Sequence, residues 1–394
     1  MTVARDGSLD LALARERFEE SVDFTMAVEE EFAILDPRTL ELSHSYEELH
    51  DASQDDAVLA DSVRGELIDT EIEIRSGRSE GFGEMSERQR ERRRLLFELA
   101  DSRGLALAST GTHPWAGYLD QAIIDTPHYR RLREELGWVA QRNNTWSLHV
   151  HVGIRGADRA IRVCDVLRNH LPTLLALSAN SPFLDGRDSG LHSVRSQIFT
   201  RSFPRCGIHE PFGSWASYAE FVDLLERTRS IVESTQLWWS VRPHHAFGTV
   251  EVRICDAQSR GEESLALAGL LVAAVAQAAI DDDEGAAAAP RRTREIEENL
   301  WRAIRFGRAG RMVDWESGEE IETVEAIQRL VEWTEPARQT LGIDPPPVAP
   351  NGAERARTAL AGGRSIREIY GDVVRETRQT FLGETAQRSV GSGR

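Results

Sequence analysis

The stretch Thr249-Val250-Glu251-Val252-Arg253-Ile254-Cys255-Asp256-Ala257-Gln258 puts a carboxylate and a guanidinium two residues apart on an otherwise apolar run. Strand side chains alternate faces, so Glu251 and Arg253 point one way while Val250, Val252 and Ile254 point the other. One face is core and the other carries charge. Charge beside a core is costly unless a metal ion, an anion or solvent meets it, which makes this strand a candidate site floor.

Three further segments repeat the design. In Met26-Ala27-Val28-Glu29-Glu30-Glu31-Phe32-Ala33-Ile34-Leu35, Glu29 and Glu31 share a face, and in Ser147-Leu148-His149-Val150-His151-Val152-Gly153-Ile154, His149 and His151 do. Asp69-Thr70-Glu71-Ile72-Glu73-Ile74 alternates acid with isoleucine. Taken singly, each has an ordinary reading: a solvated strand face for Glu29 and Glu31, two satisfied histidines for His149 and His151, and a salt bridge for Glu251 and Arg253. Four apolar strands that all carry paired polar groups are an unusual way to build a core, and together they point to one metal and anion site. Carboxylates outnumber imidazoles and no cysteine accompanies them, so the expected ion is hard, Mg²⁺ with Mn²⁺ as a substitute, rather than Zn²⁺.

An ordered series of motifs runs through the chain: Val28-Glu29-Glu30-Glu31-Phe32, Gly111-Thr112-His113-Pro114, Leu148 to Gly153, Ala176-Leu177-Ser178-Ala179-Asn180-Ser181-Pro182-Phe183, Arg195-Ser196-Gln197-Ile198, Leu237-Trp238-Trp239, Val241-Arg242-Pro243, Thr249 to Gln258, and Glu298-Asn299-Leu300-Trp301-Arg302-Ala303. In these the chain resembles the glutamate-cysteine ligase type 2 family, carboxylate-amine ligases of the glutamine synthetase superfamily. The resemblance implies an α+β fold: a glutamine-synthetase-like catalytic domain whose curved antiparallel sheet forms a funnel-shaped site, with helices on its outer face. It implies Mg²⁺ ions and ATP as co-substrate, with Glu31 and Glu73 on one ion and Glu29, His149 and Glu251 on another. By the same resemblance His151 lies near the ATP phosphates and Arg253 is the catalytic, ATP-binding contact to the transferring phosphoryl group; Arg302 is also expected to bind ATP, and Arg195, Arg201 and Arg242 to bind substrate. Thr70, Glu71 and Ser240 depart from the family pattern, which leaves the metal site intact and the amine acceptor open.

The implied reaction explains the residue types. Joining a carboxylate to an amine in water is uphill, so ATP first phosphorylates the carboxylate and the amine then displaces phosphate. Charge develops on oxygens that are already anionic, so catalysis is mostly positioning and neutralisation by Mg²⁺ and arginine. The expected product is γ-glutamylcysteine, formed through γ-glutamyl phosphate; another amine is the alternative acceptor. A metal-dependent hydrolase built on His149, His151 and Glu251 is the reading from a different class, and the surplus of acids weighs against it. A cupin-type oxygenase would need a Glu soon after His151, and Arg155-Gly156-Ala157 supplies none.

Composition narrows the field. All 47 basic residues are arginine, which excludes a Walker-type loop, a kinase strand lysine and a Schiff-base enzyme. A net charge of -18 argues against nucleic acid or an anionic membrane as partner, leaving small-molecule substrates and a homodimer as expectations. Three scattered cysteines, Cys164, Cys206 and Cys255, fit a reducing cytoplasm, and Met1 to Glu20 has no signal-peptide run. Leu265 to Ile280 reads as a buried helix.

The expected organisation is an N-terminal extension over 1–22, one catalytic domain over 23–384 and a disordered tail over 385–394. Within it, strands fall near 26–35, 69–75 and 105–110, with helices near 86–102 and 158–180. The Arg88 to Arg94 cluster reads as a solvated helix face. Ser181 to Ser214, rich in Gly, Pro, Ser and Arg, is expected to be a long loop over the site, with Arg187, Arg195 and Arg201 as its anion-binding residues.

Overall fold

The alternating segments become neighbours in one sheet. A computed structural model describes residues 10–347 and 349–383, so the whole of the expected tail and the start of the expected extension lie outside the described residues. The strands of the sheet are β1 (Met26–Leu35), β2 (Val63–Arg64), β3 (Glu71–Arg75), β4 (Ala106–Ala108), β5 (Ser147–Gly153), β6 (Val241–His244) and β7 (Thr249–Asp256). Their order is β6-β7-β5-β1-β3-β2, with β4 paired to the far end of β1. Every pairing is antiparallel, and helices complete an α+β fold.

Register decides which side chains meet, because a slip of one residue would turn each polar set into the core. Glu29 lies opposite His149 on one side and Arg75 on the other, and Glu31 lies opposite Glu73. Glu251 lies opposite His151 and Arg242. The β7–β5 register shifts between Val252 and Cys255, a bulge that sets Arg253 and Ile254 against one residue of β5.

The other face of the sheet is core. Val28, Val150, Val152, Val250, Val252 and Ile254 are buried in one cluster with helix residues that include Ile161 and Leu271. The described part of the expected extension joins it, since α1 (Leu11–Glu19) buries Ala14 and Phe18 there. Two further helices cover the sheet, α2 (Phe82–Ser102) and α3 (Ala157–Leu167). Among the described residues one helix is long and apolar enough to cross a membrane, Gly261–Glu284; 83% of its apolar window is buried inside the protein, as in a core helix.

Two expectations change. Arg88, Arg90 and Arg94 are exposed, but Arg93 is 2% exposed, because Gln89 and Arg93 stand one helical turn apart on the face that meets the sheet. There they meet Glu30, whose strand parity turns it into the core between Val28 and Phe32. Arg93 binds both Glu30 oxygens, Gln89 Nε2 donates to the same carboxylate at 2.6 Å, and Ser264 Oγ donates as well. Removing one partner of a buried pair leaves an uncompensated charge, so Arg93→Met is expected to cost about 3–5 kcal/mol. Adding Glu30→Gln should restore most of it, and denaturant melts of the three variants test this; an unchanged Arg93→Met variant would contradict it. The second change is the expected long loop, which contains α4 (Val194–Ser202), started by Ser193 Oγ accepting from Ser196 N.

Candidate active site

The polar face of the sheet floors a cavity of about 440 Å³. Glu29, Glu31, Glu73, His149, His151, Arg195, Arg242, Glu251 and Arg253 all line it, although they come from widely separated parts of the chain. His149 Nδ1 is 3.5 Å from Glu29 Oε2, and His151 Nε2 is 3.5 Å from Glu29 Oε1 and 3.8 Å from Glu251 Oε1. Ser147 Oγ lies 2.7 Å from both His149 Nε2 and Glu31 Oε2 and ties the two together.

Three sets of donor atoms lie mutually within 4.8 Å: Glu29, His151 and Glu251; Glu29, Glu73 and His149; and Glu31, Glu66 and Glu73. Glu29 and Glu73 each serve two sets. The grouping differs from that expected from the resemblance, where His149 accompanies Glu251. Strand register is the cause, since His151 is the residue opposite Glu251 while His149 faces the bulge. The sets are rich in carboxylate oxygen, and the buried Nε2 of His151 has no hydrogen-bond partner. That donor chemistry fits hard divalent cations.

The arginines have definite tasks. Arg242 Nε meets Glu251 Oε2 at 2.6 Å, and its NH1 donates to Leu237 O at 2.6 Å and Thr235 O at 3.0 Å. Arg253 NH1 donates to Glu251 Oε1, while its buried Nε is unpartnered. Arg195 holds the bulge: its NH1 and NH2 donate to Ile254 O at 3.1 Å and Arg253 O at 3.2 Å. Asp256, fully buried, stands 3.6 Å from Arg195 and accepts from Asn180 N, Ser181 Oγ and Ser193 Oγ. Thus Arg195 and Arg242, expected to bind substrate, brace the two ends of the Glu251–Arg253 pair.

Two expected residues lie elsewhere. Arg201 is largely exposed and pairs with Glu297 at 3.3 Å. Arg302 projects from the polar side of helix Thr293–Phe306, whose Ile296, Leu300 and Ala303 face inward, and pairs with Glu298 at 2.9 Å and Glu320 at 2.5 Å. Neither lines the cavity, and exposed Arg187 also stays outside it. Glu66 and Arg75 also line the cavity, beyond the residues expected there. Arg75 Nε lies 2.5 Å from Glu73 and 3.2 Å from Glu29. It continues the alternation of Glu71 and Glu73 by one more step and was legible. Glu66 sits in the turn after β2, where no periodicity marks it.

Packing so many acids together separates their protonation. Burial works to raise Glu29, but His151 and Arg75 outweigh it and hold it well below the usual carboxylate range. Glu251 is likewise held low against burial by Arg242 and Arg253. Burial, then Glu73, pushes Glu31 up to about 7, and burial, then Glu31, pushes Glu66 up to about 7. Burial also lowers His149 to about 3, whereas Glu29 and Glu251 overcome burial and raise His151.

Folding therefore raises the Glu31 and Glu66 values from 4.5 to about 7. Their contribution to stability in the metal-free protein is complete below about pH 4.5 and is lost as pH rises through about 7. Glu29 and Glu251 act oppositely, but below 4.5, outside that window. Lowered histidines such as His149 add stability as pH rises to about 6.5, so the Tm of metal-free protein is expected to fall between about pH 6.5 and pH 8, and Mg²⁺ should raise Tm more at the higher pH, where it replaces protons. A Mg²⁺ gain that is equal at both pH values, read by calorimetry, would contradict this.

A second cavity, of about 480 Å³, meets the first at Glu29, Arg75, His151, Ala246 and Phe247. Phe247 is 55% exposed and stacks on His244 at 4.4 Å between ring centroids. The metal-donor floor thus lies where two chambers join.

Residues 25–345 match the family described as glutamate-cysteine ligase family 2. A Rubrobacter xylanophilus protein, provisionally named glutamate–cysteine ligase 2-2, is 36% identical over 369 residues, covering 93% of this chain and 95% of its own length. A Sorangium cellulosum protein, provisionally named glutamate–cysteine ligase 2, is 36% identical over 342 residues, covering 87% and 89%. Among solved structures, a glutamate–cysteine ligase of Francisella tularensis in complex with AMP superposes with a TM-score of 0.63 at 12% identity, over 92% of this chain and 89% of that one. A bifunctional glutathione synthetase of Pasteurella multocida gives 0.64 at 11% identity, over 95% of this chain, which spans about half (54%) of that protein. These two likenesses concern the fold.

Proposed function

The chain belongs to glutamate-cysteine ligase family 2, and we propose that it is an ATP-dependent ligase joining glutamate, as carboxylate donor, to an amine. The observation that carries this reading is the floor between the two chambers: overlapping carboxylate–histidine donor sets with Arg253 on the same face. A reaction that passes a phosphoryl group from nucleotide to carboxylate needs such a meeting point.

In the proposed reaction a carboxylate oxygen of glutamate attacks the γ-phosphorus of ATP, and the bond to ADP breaks. The amine nitrogen then attacks the acyl carbon. A C–N bond forms, the C–O bond to phosphate breaks, and a proton leaves to water. Mg²⁺, when bound, would neutralise the phosphoryl oxygens, and the three donor sets are the residues that would hold it. Arg253, whose buried Nε has no partner in the floor, would contact the transferring phosphoryl group. The buried floor strengthens each of these charge contacts relative to water. Arg195 fixes the bulge and so the direction in which Arg253 emerges. Burial keeps His149 neutral, while His151, poised between Glu29 and Glu251, lines both chambers. The three cysteines are unpaired, which supports a reducing cytoplasm as its setting.

Purified protein with Mg²⁺ or Mn²⁺ is expected to release ADP fully only when ATP, glutamate and an amine are all present. Release that is independent of every carboxylate and amine would overturn the reading. Hydrolysis of an amide or ester with Zn²⁺ and no ATP would replace it with a hydrolase.

A further inference from the structure

One wall of the first cavity, which the second chamber does not share, is apolar. Leu67, Tyr129, Leu132 and Trp238 belong to one hydrophobic cluster, and each lines the cavity. Phe203 extends the wall, its ring centroid 6.1 Å from that of Trp238, and Phe199 lies 4.9 Å beyond it.

Several polar groups at this end are already engaged. Tyr129 Oη donates to Gly65 O at 2.8 Å. His128 Nδ1 and Glu233 Oε1 pair at 2.9 Å. The Gln236 side chain donates to Glu135 at 2.6 Å and accepts from Val232 N at 2.7 Å. None of Cys164, Cys206 and Cys255 lines the cavity, and neither does any methionine.

From this we infer that the acceptor is a primary amine with an apolar body larger than that of cysteine, branched aliphatic or aromatic, which packs against Trp238, Phe203 and Leu132 while its nitrogen reaches the floor. The inference rests on the ligase reading for the identity of the nucleophile; the wall itself does not depend on it. A pocket built for a larger apolar body loses about 10-fold or more in kcat/KM for each methylene left out, which sets the penalty for cysteine.

The test is the rate of ADP release by the full chain with Mg²⁺, ATP and glutamate, over cysteine, alanine, leucine, phenylalanine, isoamylamine and phenethylamine. Leucine, phenylalanine or their decarboxylated counterparts should exceed alanine by about 1,000-fold or more and cysteine by at least about 10-fold in kcat/KM. The two acid and amine pairs distinguish an amino acid from a simple amine as the source of the apolar body. Trp238→Ala should shrink the leucine-to-alanine ratio by about 10-fold, a ratio that is internal to each preparation. Phe203→Leu, a milder change, should move it in the same direction.

Cysteine as the best acceptor would overturn the inference and leave the ligase reading standing. If nothing turns over, the ligase reading falls. Calorimetric titration of the same compounds into the enzyme with Mg²⁺ and ADP then decides the inference alone: binding of the apolar compounds at least about 10-fold tighter than cysteine supports it, and equal binding overturns it.

Discussion

Glu29→Gln is expected to lower kcat by about 10³-fold or more while leaving the fold nearly as stable as before. Glutamine keeps the size and hydrogen bonding but removes a charge from two donor sets at once, and the lost neutralisation amounts to several kcal/mol in the transition state. Its arginine partner is not stranded, because Arg75 keeps Glu73 at 2.5 Å. Glu251→Gln differs. It removes the same kind of charge, but it also leaves Arg242 and Arg253 buried without their shared carboxylate, so both kcat and Tm should fall. Because Glu29 and Glu251 share a set, the double variant should lose far less in kcat than the product of the single losses. Fully multiplicative losses at saturating ATP would mean that they hold different ions or none.

Arg253→Lys is the second large effect. The guanidinium already spends NH1 on Glu251, and its buried Nε is unpartnered. Lysine can keep the ion pair with Glu251, yet it has a point charge in place of the planar fork and cannot also reach the phosphoryl group with fixed geometry. The contact matters most as charge redistributes, so kcat should fall by about 10²- to 10³-fold with ATP affinity and Tm nearly unchanged. A variant with lowered Tm and near-normal kcat would make Arg253 a brace for the sheet and remove it from the chemistry.

Much of the floor could be read from the chain because strands have a period of two. Val28, Val150, Val252 and their neighbours mark one face as core, and Glu29, Glu31, Glu73, His149, His151, Glu251 and Arg253 follow on the other. Which donors share an ion was not legible. That depends on register and on the bulge at Arg253 and Ile254, and no local pattern encodes either. Glu66 escaped because a turn residue has no periodicity to betray it. Arg93 escaped because its helix reads as charged all around, although Glu30, forced inward by strand parity, requires a buried cation. Arg201 was drawn toward the site by the composition of its segment and Arg302 by its motif, and helix geometry turns both away from the cavity.

The central claim, that a phosphoryl group passes from ATP to a carboxylate over this floor, is tested most directly with glutamate carrying ¹⁸O in its side-chain carboxylate. Turnover with an accepted amine should place one ¹⁸O in the released phosphate for each ADP formed, because the oxygen that attacks phosphorus leaves with it. Phosphate free of ¹⁸O, with ADP and amide both produced, would contradict the acyl phosphate and with it the assignment of the floor.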